Sequence, residues 1–213
     1  MRRQLVVLAR WPAAGRCKRR LARSCGSTAS AARVQAALSR HTLAVAVAWA
    51  RRNGVALTLA VDGLGPRARR RWARTLDVPH SCSQGGGGLG LRMQRQLLRS
   101  FRNGAEQVVL IGSDLPRLEA ADLGAAFQAL ADAPLVLGPA DDGGYWLIGL
   151  TRAGFAQAGA ALMGGLSWGG SQVLADTERR AAALALAVRR LRPQNDVDTR
   201  ADLLPWWRRS TRR

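Results

Sequence analysis

The sequence predicts an α/β fold with a mainly parallel central sheet flanked by helices, and two observations carry that prediction. Short, continuously apolar runs alternate along the chain with longer stretches whose apolar residues recur at helical spacing. Several of the loops that follow the apolar runs are unusually rich in glycine and charge, as expected where a ligand meets the carboxyl ends of strands.

Residues 4–9 form an apolar run bounded by charge and Pro12, which suits a strand buried on both faces. In residues 28–52, Val34, Leu38, Val45 and Trp49 fall at helical spacing, and Asn53-Gly54 ends the helix. A second strand is expected over 55–61 and a basic helix over 66–76, after which a glycine-rich loop, 85–90, leads into a helix over 91–102. Residues 108–111 make a third buried strand. Residues 119–131 make an amphipathic helix with Leu123, Phe127 and Leu130 on one side. Strands follow at 135–137 and, past a glycine turn, at 145–150. Two alanine-rich helices near 153–162 and 170–180 flank a loop holding Trp168, and 184–188 closes as a short strand.

With 213 residues the chain fits one compact domain, expected over 1–205, followed by a basic tail, 206–213. No run approaches the roughly 20 apolar residues of a spanning helix, so no integral membrane contact is expected. The opening apolar run stops at Ala9, too short for a signal peptide. Cys17, Cys25 and Cys82 are an odd set without metal-ligand spacing, which fits a reducing, cytoplasmic setting and small packed side chains better than nucleophiles. Basic residues outnumber acidic ones 33 to 14, a net charge of +19, and Lys18 is the sole lysine. Such a field favours anionic partners. The arginines are scattered as well as clustered, so an arginine-rich composition accounts for them more simply than a dedicated nucleic-acid role.

Four loops could carry chemistry. The first, from Ala9 to Leu21, contains Arg10, Gly15, Lys18 and Arg20. Glycine lets backbone approach a phosphate, and the cations can neutralise it. A plain basic surface loop explains the segment equally well, since the P-loop spacing is missing. The second, Gly112-Ser113-Asp114-Leu115-Pro116, ends a buried strand in a carboxylate able to ligate a hard divalent cation, or to cap a turn. The third, Gly138 to Trp146, carries Asp141-Asp142-Gly143-Gly144-Tyr145. Its Asp-Gly and Gly-Gly pairs signal a hairpin, which does not require paired carboxylates, and the two adjacent glycines beside aromatics also suit a floor for a sugar or phosphate. In the fourth, Asn195 to Asp202, Thr199 and Asp202 have capping-box spacing, which leaves Asp196 and Asp198 unexplained; placed near Asp114, one of them would complete a metal site. His41 and His80 fall in none of these loops, which argues against a Ser-His-Asp or Cys-His hydrolase and against a histidine metal site.

Together the segments resemble a bacterial family of GT-A-type proteins labelled DUF2064, whose members are named as glycosyltransferases and in some genomes are linked to arsenosugar biosynthesis. The resemblance rests on Ala9-Arg10-x-Pro12-x-x-Gly15-x-x-Lys18-x-Arg20-Leu21-Ala22, Leu89-Gly90-x-Arg92-Met93, Gly112-Ser113-Asp114-x-Pro116, Gly138-Pro139-x-x-Asp142-Gly143-Gly144-Tyr145, Trp168 and Asp196-x-Asp198-Thr199-x-x-Asp202-Leu203, in family order. It implies a GT-A (nucleotide-diphospho-sugar transferase) fold, akin to molybdenum-cofactor and phospholactate guanylyltransferases. By that resemblance Arg10, Gly15, Lys18 and Arg20, with Arg92 and Ser113, would contact the nucleotide. Asp114 and Asp198 would bind Mg²⁺ or Mn²⁺, and Asp142, Gly143, Gly144, Tyr145 and Trp168 would face the transferred sugar or the acceptor. The chain departs from the pattern at Gly88 and Leu91, where acidic residues stand, at Arg19, where a threonine stands, and at Gly169 and Gly170, where small polar residues stand.

The expected function is metal-dependent glycosyl transfer from a nucleotide-activated sugar to a small-molecule acceptor, with Asp142 orienting or deprotonating that acceptor. The alternatives are a nucleotidyltransferase forming an NDP-linked product, and a non-catalytic nucleotide- or nucleic-acid-binding protein. Base, sugar, acceptor and oligomeric state are not readable from the chain.

Overall fold

The computed structural model describes residues 1–195, 197 and 202–203; Asp196, Asp198, Thr199 and the basic tail lie outside the described residues. The chain opens on β1 (Arg3–Arg10), whose side chains alternate between two apolar layers because both faces of the sheet are covered. Leu5, Val7 and Ala9 pack toward α2 (Thr28–Arg52), α3 (Pro66–Thr75) and α5 (Ala120–Asp132). Val6 packs the other way, toward α4 (Leu89–Arg102), α6 (Arg152–Met163) and α7 (Val173–Ala183).

The remaining strands are β2 (Ala56–Asp62), β3 (His80–Ser83), β4 (Gln107–Gly112), β5 (Leu135–Pro139), β6 (Tyr145–Thr151) and β7 (Val188–Arg190). Among the described residues they form one sheet in the order β3-β2-β1-β4-β6-β5-β7. The pairs β1–β2, β2–β3, β1–β4 and β5–β7 are parallel, and β6 alone runs against its neighbours β4 and β5. The fold is therefore α/β with a mainly parallel sheet, as the alternation of periodicities predicts.

Local chemistry sets the helix limits. Ser27 caps α2 by accepting from the Ser30 amide at 3.1 Å, and Arg51 and Arg52 stand at its negative carboxyl end. Glu119 and Asp122 form a reciprocal capping box on α5. Trp49 of α2 stacks on Phe127 of α5 with centroids 5.2 Å apart, which ties the two long helices over the sheet.

Three elements differ from expectation. The stretch expected as loop after β1 contains a short helix, α1 (Arg19–Cys25), which hides only Leu21 and so shows no apolar periodicity. β3 reads His80-Ser81-Cys82-Ser83, an edge strand without an apolar run. The closing strand lies at Val188–Arg190 instead of 184–188, because α7 continues to Ala183 and Ala185 takes the left-handed conformation (φ 50°) that turns the chain away from it.

One consequence positions the site. Apart from β6, every strand ends at the same edge of the sheet, and the order reverses direction between β1 and β4, creating a crevice there.

Candidate active site

The edge holds a cleft of about 780 Å³, lined by the loops that follow β1, β2, β3 and β4, the β5–β6 turn and the segment before α7. At the β1/β4 crevice the Lys18 ammonium meets the Asp114 carboxylate at 2.5 Å. Lys18 begins α1 in the left-handed conformation (φ 46°, ψ 51°), unusual for a residue with a side chain. Its side chain is only 4% exposed, against 27% for Asp114.

Asp114 is fixed from behind by α2. The buried Ser113 hydroxyl lies 3.4 Å from Ser39 Oγ and 3.5 Å from Gln35 Nε2, and the Leu115 amide donates to Thr42 Oγ1 at 3.2 Å. These are buried polar groups satisfied by one another, an arrangement that specifies geometry more than it adds stability.

A second charged cluster lies on the β2 side. Asp62, the last residue of β2, takes Arg10 Nε at 3.1 Å and Arg92 Nη1 at 2.8 Å on the same oxygen. Burial alone would raise the Asp62 carboxyl, but hydrogen bonding and charge from Arg92, joined by Arg10, outweigh it and hold the group below the usual carboxylate range. Arg92 also donates to the carbonyl of Gly87 at 2.8 Å and to Gln84 Oε1 at 3.4 Å. The buried Gln84 amide in turn bridges the carbonyls of Ala9 and Ala60 at 3.1 and 3.0 Å, locking the glycine-rich loop to the sheet edge.

The opposite wall is built on the β5–β6 turn. Asp142 Oδ1 accepts from the Gly144 amide at 2.9 Å. Tyr145 and Trp168 meet edge-on, with centroids 6.0 Å apart. Tyr145 lines the cleft, while its hydroxyl is buried; burial pushes the phenol well above the usual range, and the neighbouring Thr177 hydroxyl offsets little of that.

The glycines of the sequence motifs divide by purpose. Gly143 has φ 84°, and a Cβ there would sit 1.9 Å from the Ser171 carbonyl oxygen. It serves the turn and lies outside the cleft lining, as does the exposed Gly15. At Gly90 a Cβ would meet the Met163 carbonyl at 2.5 Å and the Trp168 indole at 2.6 Å, so this glycine lets α4 close against α6 and Trp168.

Of the residues expected from sequence, Arg10, Lys18, Arg20, Arg92, Ser113, Asp114, Asp142, Gly144, Tyr145 and Trp168 line this single cleft. Asp198 lies outside the described residues. Sequence reasoning missed Asp62, Gln84 and Gln35. Asp62 was findable by the rule that picked out Asp114, a carboxylate at a strand's carboxyl end; the glutamines carried no signal. Cys17 also lines the cleft, but burial raises its thiol more than the charges of Lys18 and Arg10 lower it, so it is not poised as a thiolate.

Among the described residues no three His, Cys, Asp or Glu side chains gather as a closed metal site. Asp114, which faces the cleft at the end of β4, instead fits a cation of the Mg²⁺ kind, held by one or two carboxylates and completed by substrate phosphates. No helix among the described residues is long and apolar enough to cross a membrane.

Comparison with known proteins agrees with this fold. The pattern of the family DUF2064, described as an uncharacterized protein conserved in bacteria, matches residues 42–170. A crystal structure from Desulfovibrio desulfuricans G20, provisionally named a nucleotide-diphospho-sugar transferase, is 28% identical with a TM-score of 0.81, over 95% of this chain and 85% of that one. A CMP:2-keto-3-deoxy-manno-octonic acid synthetase complexed with CTP shares the fold at 13% identity and TM-score 0.63, over the whole of both chains. The Rv0371C complex with manganese from Mycobacterium tuberculosis H37Rv shares it at 21% identity and TM-score 0.54, over 98% of this chain and 97% of that one. No curated protein matches the chain.

Proposed function

Starting from the premise that the chain belongs to the DUF2064 family, whose pattern spans more than half of it, we propose that it is a transferase that takes a sugar from a nucleoside-diphosphate donor with the help of Mg²⁺ or Mn²⁺. The observation that carries this reading is the division of the cleft. Arg10, Lys18, Arg20 and Arg92 line the side that carries the ends of β1 and β2, where Lys18 pairs with Asp114 and Arg10 and Arg92 pair with Asp62, and Asp142, Tyr145 and Trp168 line the β5–β6 side. The first half matches a diphosphate, with arginine forks and a lysine point charge. The second half offers aromatic faces and a carboxylate, which suits a sugar ring and a hydroxyl to be activated.

In this reading Asp114 holds the cation, with Asp198 as a second ligand. A divalent cation held there would offset the negative charge that builds on the departing phosphate. Lys18 and Arg20 neutralise the same developing charge from the protein side. Asp142, fixed by the Gly144 amide, orients or deprotonates the acceptor hydroxyl, and Tyr145, edge-on to Trp168, gives the transferred group an aromatic wall.

The test is a thermal-shift series with NDP-sugars, with and without Mn²⁺, because a ligand of the native state raises the melting temperature. One donor with cation is expected to give the largest shift, and Asp114→Ala is expected to lose it while keeping the fold. Equal shifts with and without cation in both proteins would refute the assignment.

The second reading, nucleotidyl transfer, is favoured by Arg16 and Arg19, which add to the positive lining beyond what a diphosphate needs and suit a triphosphate. Release of pyrophosphate from an NTP, instead of NDP from an NDP-sugar, would select it.

A further inference from the structure

We propose that the cleft accepts its cation as a preformed metal–nucleotide chelate, with Lys18 as the residue that excludes the free ion. This rests on the cation-assisted reading above and adds the form in which the substrate arrives. The Lys18 ammonium lies 2.5 Å from Asp114 Oδ2, so the carboxylate already has a counter-ion on the oxygen that faces it. Neither partner is held loosely. Lys18 is nearly buried in a left-handed backbone conformation, and its carbonyl accepts from the Ala22 amide at 2.8 Å. Asp114 sits between Ser113 and Leu115, both tied to α2.

The surroundings oppose a bare dication. Arg10, Arg16, Arg20 and Arg92 line the same cleft, and of the other carboxylates in its lining Asp62 is taken by two guanidinium groups while Asp142 accepts from the Gly144 amide. A free cation would have to displace an ammonium and enter a positive field. A chelate of the cation with a nucleoside diphosphate or triphosphate is net anionic, so the same arginines attract it. Its phosphate oxygens give Lys18 a new partner as Asp114 passes to the metal. Lys18 and Asp114 each have a partner of opposite charge before and after the exchange. By linkage, cation and phosphate must then strengthen each other's binding to the same degree.

The experiment titrates the full chain with Mn²⁺ alone and with Mn²⁺ plus inorganic pyrophosphate, a probe that needs no knowledge of base or sugar. Manganese bound to the protein is measured by equilibrium dialysis, which separates it from both the free ion and the free pyrophosphate chelate. Wild type is expected to bind Mn²⁺ at least tenfold more weakly alone than with pyrophosphate. Lys18→Met, checked for folding by circular dichroism, is expected to bind Mn²⁺ alone about tenfold more tightly than wild type and the chelate more weakly; Lys18→Gln provides a second variant with the same expectation. Chelate binding in wild type with unchanged Mn²⁺ affinity in both variants would overturn this inference alone. Failure of wild type to bind the chelate at all would overturn the cation site itself, and the inference with it.

Discussion

Asp62 shows how single residues set the electrostatics of the cleft, since one carboxylate oxygen gathers guanidinium groups from β1 and α4. Its proton is held less tightly in the folded protein than in the unfolded chain. The ion pairs therefore stabilise the fold at pH values above the unfolded carboxyl's range, near about 4, and that contribution is lost as pH falls through the lower folded value. The melting temperature of wild type should exceed that of Asp62→Asn by a constant margin between about pH 5 and 7, and the margin should shrink toward zero below about pH 4. A margin that grows on acidification would contradict the ion-pair account. Asp62→Asn should also weaken nucleotide binding several-fold, because Arg10 and Arg92 lose the anchor that aims them at one anion. Nothing in the periodicity of β2 singles Asp62 out. Its partners stand 52 and 30 positions away, and only folding brings them together.

The β5–β6 hairpin is the element that builds the cleft wall bearing Asp142 and Tyr145. Its turn is legible in Asp142-Gly143-Gly144, whose sequence predicts a reversal and whose strands pair antiparallel as that requires. The reason Gly143 must be glycine is tertiary: the Ser171 carbonyl occupies the space of its Cβ, and the Leu174 amide donates to the Gly143 carbonyl at 2.8 Å. Gly143→Ala is expected to cost roughly 2–4 kcal/mol through left-handed strain and backbone overlap, measurable by urea denaturation. It should lower donor affinity as Asp142 and Tyr145 shift. A loss below about 0.5 kcal/mol, the range of an ordinary surface substitution, would show that the overlap is relieved without consequence. The same glycine run supported a second expectation, a floor for the ligand, for which Gly143 is unsuited by its position outside the lining, whereas Gly144 lies within it.

At the scale of the whole molecule, the charge of +19 is shared between the cleft and the outer surface. On α3, Arg67, Arg70, Arg71 and Arg74 are exposed without an acidic residue in the helix. Two kinds of anion binding can be separated by their response to salt and metal. Nucleotide binding in the cleft should be abolished by EDTA and weakened only modestly between about 50 and 200 mM salt. Binding of a polyanion to the surface should ignore EDTA and fall steeply over the same range. Measuring both by fluorescence anisotropy distinguishes the site from the field around it; nucleotide binding indifferent to EDTA would count against the cation-assisted reading. The sequence by itself determined the α/β class, most element positions and the loops that bear the chemistry, because periodicity, glycine placement and charge are local properties of the chain. Only the tertiary structure decided that β6 runs between β4 and β5, that Lys18 closes on Asp114 and that Asp62 joins Arg10 to Arg92. Those facts depend on strand order and on contacts between residues far apart in sequence, where the energy lies in pairings that no local pattern records.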